Sequence, residues 1–190
     1  MNSIKRTLAA IACGFTLCLA FNQAVAADGT TEKRYPLPGH GYLQLNVPAG
    51  WKERLTQPSK PVPPIIDFVA DQKGKPFIVT VAPSWQTRGN GTQPDKEALR
   101  KSVEYSGRGM LPISKEKEIK VVELDGASGP GYYFSVTDNA PKPGDYKFMT
   151  KGALRVGELT VAFTILTNEG QEQVVRDALA MLKSAVQGKP

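Results

Sequence analysis

The chain carries a single histidine, His40, and two cysteines, Cys13 and Cys18, and these three positions bound its covalent and metal chemistry. A serine nucleophile needs an imidazole base that a third group orients. Only His40 can supply one, and it lies in Pro38-Gly39-His40-Gly41, which reads as a loop. No Gly-x-Ser-x-Gly elbow occurs, and Gly126-Ala127-Ser128-Gly129 reads as a turn between strands. One histidine cannot complete the usual zinc set. Asp67, Asp71, Asp125, Asp138 and Asp145 lack the spacing of a calcium loop. Gly107-Arg108-Gly109 lacks the lysine and hydroxyl residue of a phosphate loop, and Gly129-Pro130-Gly131 precedes a strand instead of a helix. The sequence therefore predicts no catalytic residue, no metal ligand and no cofactor. A carboxylate pair acting on glycosides is the catalytic class that 18 acidic residues leave open.

Recognition chemistry is better represented. Lys147, Lys151 and Arg155 recur every fourth residue in a segment that reads as a strand, so they share a face and can meet an anionic protein or lipid surface. The plainer reading is a solvated face, or one covered by a helix with the lysine stems lying along it. Trp85, between Val81-Ala82-Pro83-Ser84 and a glycine-rich loop, either anchors a contact through an exposed indole or packs in the core against the first helix. The prolines from Pro58 to Pro64 suit an extended loop or a polyproline ligand. Asn90-Gly91-Thr92 spells a glycosylation acceptor, but Thr92 reads better as a helix cap.

The first 26 residues give an address. Lys5 and Arg6, an apolar run from Leu8 to Phe21, and Ala24-Val25-Ala26 form the three-part layout of a secretory signal peptide, with cleavage expected after Ala26. The run is shorter than the roughly 20 apolar residues a membrane-spanning helix needs, so no transmembrane anchor is expected. A lipidated cysteine fits poorly: Ala10-Ile11-Ala12-Cys13 lacks the usual leucine three places earlier, and Leu17 directly precedes Cys18. Export to a bacterial periplasm is the expectation. The remaining 164 of 190 residues contain no cysteine, which excludes thiol catalysis, and carry a net charge near +4 once Lys5 and Arg6 leave. No lysine and arginine cluster is dense enough to argue for nucleic acid.

Residues 27–33 read as a polar lead-in, 34–187 as one domain and 188–190 as a tail. Leu43, Leu45 and Val47 alternate with polar neighbours, the period of a half-buried strand. Pro48-Ala49-Gly50 ends it, and the turn aims Trp51 back onto the sheet. Ile65 to Ala70 and Phe77 to Ala82 read as a pair of strands. Thr92, with Asp95 three places on, is expected to cap a helix whose face is Ala98, Leu99, Ser102, Val103 and Ser106 before Gly107. Glu118 to Leu124 and Gly131 to Thr137 follow as strands. A tight turn at Val156-Gly157, pairing Arg155 with Glu158, sets Leu154 opposite Leu159 and Thr150 opposite Phe163, leaving Met149, Lys151, Ala153 and Arg155 on the other face. Asn168 is expected to cap a terminal helix with Val175, Ala178, Leu179, Leu182 and Val186 on one face. Short links between strands demand antiparallel pairs. The class is α+β: a mostly antiparallel sheet of about six or seven strands, with helices packed against it.

The Tyr42 to Val47 strand leading into Val47-Pro48-x-Gly50-Trp51, the Gly131-Tyr132-Tyr133-Phe134 strand, and a long hairpin running into an amphipathic C-terminal helix resemble the PsbP-like superfamily over roughly Arg34 to Val186. That superfamily includes an extrinsic photosystem protein, a Ran-binding transport factor and bacterial periplasmic proteins. The resemblance implies an antiparallel sheet flanked by helices and a non-enzymatic binding or assembly role, and it carries over no catalytic residue. The expected function is thus a periplasmic binding or assembly module whose partner is an envelope protein or an anionic surface. A carrier of a small apolar or amphipathic ligand is second, and a carboxylate hydrolase third.

Overall fold

A computed structural model describes residues 29–57, 63–70, 75–86 and 93–189. The expected signal peptide with Cys13 and Cys18, most of the proline run, Asp71, the Arg88 to Gly91 loop and Thr92 lie outside them. Among the described residues the fold is α+β, with one seven-stranded and one three-stranded antiparallel sheet and two α-helices.

Strands β1 (Thr30–Leu37), β2 (Gly41–Pro48) and β10 (Val186–Gly188) make the small sheet, with β2 central. Strands β3 (Trp51–Thr56), β4 (Ile65–Ala70), β5 (Ile78–Ser84), β6 (Val122–Gly126), β7 (Gly129–Thr137), β8 (Phe148–Val156) and β9 (Leu159–Thr167) make the large one, in the order β3-β4-β5-β9-β8-β7-β6. Helix α1 (Lys96–Arg108) precedes β6, and α2 (Glu172–Lys183) precedes β10.

Period-two alternation decides both faces of the large sheet. Ile66 and Phe68, Val79 and Val81, Leu154 and Val156, and Leu159, Val161, Phe163 and Ile165 point to one side and are buried. There they meet Leu43, Leu45 and Val47 of β2 and Ala178, Met181 and Leu182 of α2 in one continuous core. On the opposite side, Leu99 and Val103 of α1 pack onto Tyr132, Phe134 and Val136 of β7, with Met149 and Ala153 of β8 at the margin.

Several expectations need correction. Thr30 to Lys33, read as lead-in, belong to β1 and pair with Leu45 to Pro48, because a neighbouring strand satisfies backbone groups that polar side chains leave to water. Trp51 does pack onto the sheet, 4.9 Å from Phe77 between ring centroids, but it opens β3, a strand absent from the sequence reading. Strand β6 spans Val122–Gly126 instead of Glu118 to Leu124.

The β8–β9 register is displaced by two residues from the expected one: Val156 pairs with Leu159, Leu154 with Val161 and Thr150 with Ile165. A shift of two preserves the faces, so the apolar side stays apolar and additionally buries Val156. The turn falls on Gly157 and Glu158, where Gly157 takes the positive φ of 60° that a tight hairpin requires.

Both helix caps differ as well. Asp95 caps α1, accepting a 2.7 Å hydrogen bond from the Ala98 amide. Asn168 does not cap α2; the helix starts after Gln171, whose side chain accepts from the Asn168 amide and donates to the Lys75 and Pro76 carbonyls. That tertiary bracket replaces a local cap. The helix ends at Lys183, and Val186, expected on its apolar face, lies with Gly188 in β10.

Candidate functional site

Strand β8 places Met149, Lys151, Ala153 and Arg155 together on the α1 side of the large sheet. Because α1 packs over β7 and β8, the same side of β4, β5 and β9 carries no helix among the described residues. Ile65 there is 42% exposed, Ala162 and Ser84 are exposed, and Thr80 and Thr164 are half-buried. The result is a floor of short side chains running alongside a helix.

The three cations of the sequence reading behave differently on it. Lys147, one residue ahead of β8, forms an ion pair with Glu169 and lies 5.6 Å over the Phe148 ring. Its amide donates to Asn168 Oδ1 at 3.0 Å. The hydrogen bond and charge of Lys147 hold the Glu169 carboxyl below its ordinary range. Lys151 is half-buried between its cross-strand neighbours Phe134 and Thr164, with no ionic or hydrogen-bonding partner among the described residues. Arg155 is half-buried too, and its Nε is buried with no acceptor. The cations share a face, but they do not form a uniform exposed row.

Trp85 is placed elsewhere. Its ring stacks on His40 at 4.1 Å between centroids and 30° between planes, and it packs against the main core instead of α1. His40 sits in the β1–β2 turn, its amide bonded to Leu37 and its carbonyl accepting from Gln187 Nε2. The pair ties the small sheet to the end of β5.

A pocket of about 200 Å³ opens where α1 ends, lined by Met110, Ile113, Val136, Tyr146, Met149 and Leu166, with Lys147 and Asp138 at its polar side. A short 3-10 turn, Leu111–Ile113, carries one wall, and Pro112 near its start fixes the backbone there. The wall is fastened to the end of β7: Lys115 donates to the Thr137 carbonyl, Asn139 to the Ile113 carbonyl, and Ser114 bridges Asp138. Partial burial is the largest influence on the Glu116 carboxyl and raises it, but hydrogen bonds from Thr137, whose amide donates at 2.9 Å, and from its own backbone, with the charge of Lys115, together outweigh this and hold it below the usual range. The sequence reading missed this pocket, since Met110, Ile113 and Tyr146 fall in connections. The apolar run Met110-Leu111-Pro112-Ile113 was the available signal.

A second depression, of about 430 Å³, lies between α2 and β2, lined mainly by Pro48, Trp51, Ala180 and Met181 with Asn46 and Asp177.

Several carboxylates engage cations or hydroxyls. Glu53 accepts from Tyr35 at 2.6 Å and pairs with Lys33 at 3.6 Å, and Asp67 accepts from Thr80 at 2.7 Å. Among the described residues no three of His, Cys, Asp and Glu are grouped to hold a metal ion, and no helix is long and apolar enough to cross a membrane. The sequence matches no protein-family model and no curated protein.

Proposed function

We propose that the chain is an exported binding or assembly module that acts in the periplasm and docks a partner on the face of the large sheet beside α1. The observation carrying this reading is the pocket of Met110, Ile113, Val136, Tyr146, Met149 and Leu166 at the border of that face. Interface energy concentrates where one large side chain enters a well-packed pocket surrounded by contacts that exclude water. A 200 Å³ pocket falls below the roughly 300–1,000 Å³ of small-molecule clefts, which favours a single anchoring side chain over a whole ligand.

The test is site-specific photocrosslinking in the living cell, with a photoreactive residue at Ile113 and, as control, at Tyr105, which is 82% exposed. A discrete adduct from position 113 that is missing from position 105 supports docking at the pocket. Equal or absent adducts at both positions refute it. A catalytic turnover that vanishes on changing one carboxylate refutes the non-enzymatic reading.

A carrier of a small amphipathic ligand is the second reading, favoured by the larger depression beside Trp51. Native mass spectrometry of the protein from its own host tests it; a bound small molecule released by Trp51→Ala decides in its favour.

A further inference from the structure

Lys151 and Arg155 are unusual among the described cations. Those on the surface are solvated or paired, as Lys101 is with Glu97, Arg108 with Glu104 and Lys96 with Glu123. Of the half-buried ones, Lys33 has Glu53 and Lys147 has Glu169. Among the described residues Lys151 and Arg155 alone are half-buried without an acceptor, and both stand on β8, at the α1 margin of the floor formed by β4, β5 and β9. A charged donor withdrawn from water and left unpaired costs free energy that an incoming acceptor recovers.

The carboxylates nearest them on this side form no bond to either: on β6, two strands away, Glu123 pairs with Lys96, and Asp125 lies beyond Pro130 of β7. Asp67, on the same side of the sheet in β4, is already engaged by Thr80 at 2.7 Å and by Arg54 at 3.9 Å. The residues opposite Lys151 and Arg155 on β9 are Thr164 and Thr160, and the Thr160 hydroxyl is bonded to Gln93 at 2.7 Å. The floor is therefore positive along its α1 margin and bordered at one end by the apolar pocket.

We infer that the partner of this face is an acidic polypeptide segment, with carboxylates reaching Lys151 and Arg155 and one large apolar side chain in the pocket at Met149. The inference rests on the docking reading above and adds the partner's chemistry. A carboxylate on a chain is narrow enough to reach recessed ammonium and guanidinium donors and accepts two hydrogen bonds from arginine. A lipid surface is attracted by clusters of four to eight protruding basic residues, which this floor does not offer.

The experiment titrates the ¹⁵N-labelled protein with three probes and follows its amides. The probes are the peptide Glu-Glu-Glu-Trp-Glu-Glu, its glutamine counterpart Gln-Gln-Gln-Trp-Gln-Gln, and phosphatidylglycerol vesicles. The glutamate peptide is expected to shift Lys151, Arg155, Thr164 and Leu166, to bind roughly tenfold or more tightly than the glutamine peptide, and to weaken with salt. A Lys151→Gln, Arg155→Gln variant should remove that preference. The comparison of the two peptides on the unaltered protein stands even if the variant does not fold. Equal binding of both peptides at this face overturns the acidic preference and leaves docking intact. Shifts from vesicles alone overturn the polypeptide assignment. No shift at the face from any probe overturns the inference, and docking is then decided by the crosslinking result.

Discussion

Gly152 faces Phe163 across the β8–β9 ladder, and the phenyl ring lies where a side chain on residue 152 would go. A β-carbon built there comes within 2.7 Å of the Phe163 ring and still closer to the Tyr132 carbonyl. Gly152→Ala should therefore destabilise the protein by about 1–3 kcal/mol through overpacking, measured by urea unfolding. An unchanged midpoint would mean that the two central strands separate at little cost.

Tyr35 sets an alkaline limit. Burial, followed by the hydrogen bond to Glu53 and the charge of that carboxylate, pushes its phenol well above its ordinary value near 10. The folded state keeps a proton that the unfolded state releases, so stability is complete below pH 10 and falls as pH rises beyond it. In Tyr35→Phe the alkaline slope should be shallower, as read from unfolding midpoints between pH 8 and about 11.

Asp95 holds the first turn of the helix that borders the binding face. Asp95→Ala should cost about 1 kcal/mol, the usual worth of a cap. Hydrogen exchange should quicken in α1 before it does in β7–β9, since the loss is local to the helix.

Ile113 is 55% exposed and lines the pocket, so stability and docking should separate there. Ile113→Asp is expected to leave unfolding within about 0.5 kcal/mol of the parent, as surface changes usually do. It should abolish the crosslink from a photoreactive group placed at Tyr146. A variant that unfolds would show that the pocket wall is structural.

Trp85 and His40 form a contact between sheets. His40→Ala should remove about 0.5–1.5 kcal/mol and alter the Trp85 fluorescence, without affecting docking at the other face.

The large sheet was legible wherever alternation was strong, as in Tyr132, Phe134 and Val136 or the β9 run from Leu159 to Ile165. Alternation fixes which face a residue takes but tolerates a slip of two, and the hairpin register was displaced by that amount. Strands β1 and β3 escaped because Thr30 to Lys33 and Lys52 to Arg54 are polar: edge strands need few apolar residues when their neighbours supply the hydrogen bonds. The cations were found by spacing. Their unequal states were not, since Glu169, which neutralises Lys147, arrives from another connection 22 residues on. The pocket was invisible for a related reason, its walls coming from four separated segments that strand pairing and the turn after α1 bring together.

The order β3-β4-β5-β9-β8-β7-β6 makes β9 the sole join between the first half of the large sheet and the second, and β10 completes the small sheet only at Val186–Gly188. During folding, the hairpin units of the first half have to wait for β9, far along the chain, before their central edge is covered. Until then β5 presents open backbone groups, the kind of edge on which unfinished chains aggregate or on which a chaperone acts. The topology makes late closure, and an exposed edge until it happens, a built-in property of this chain.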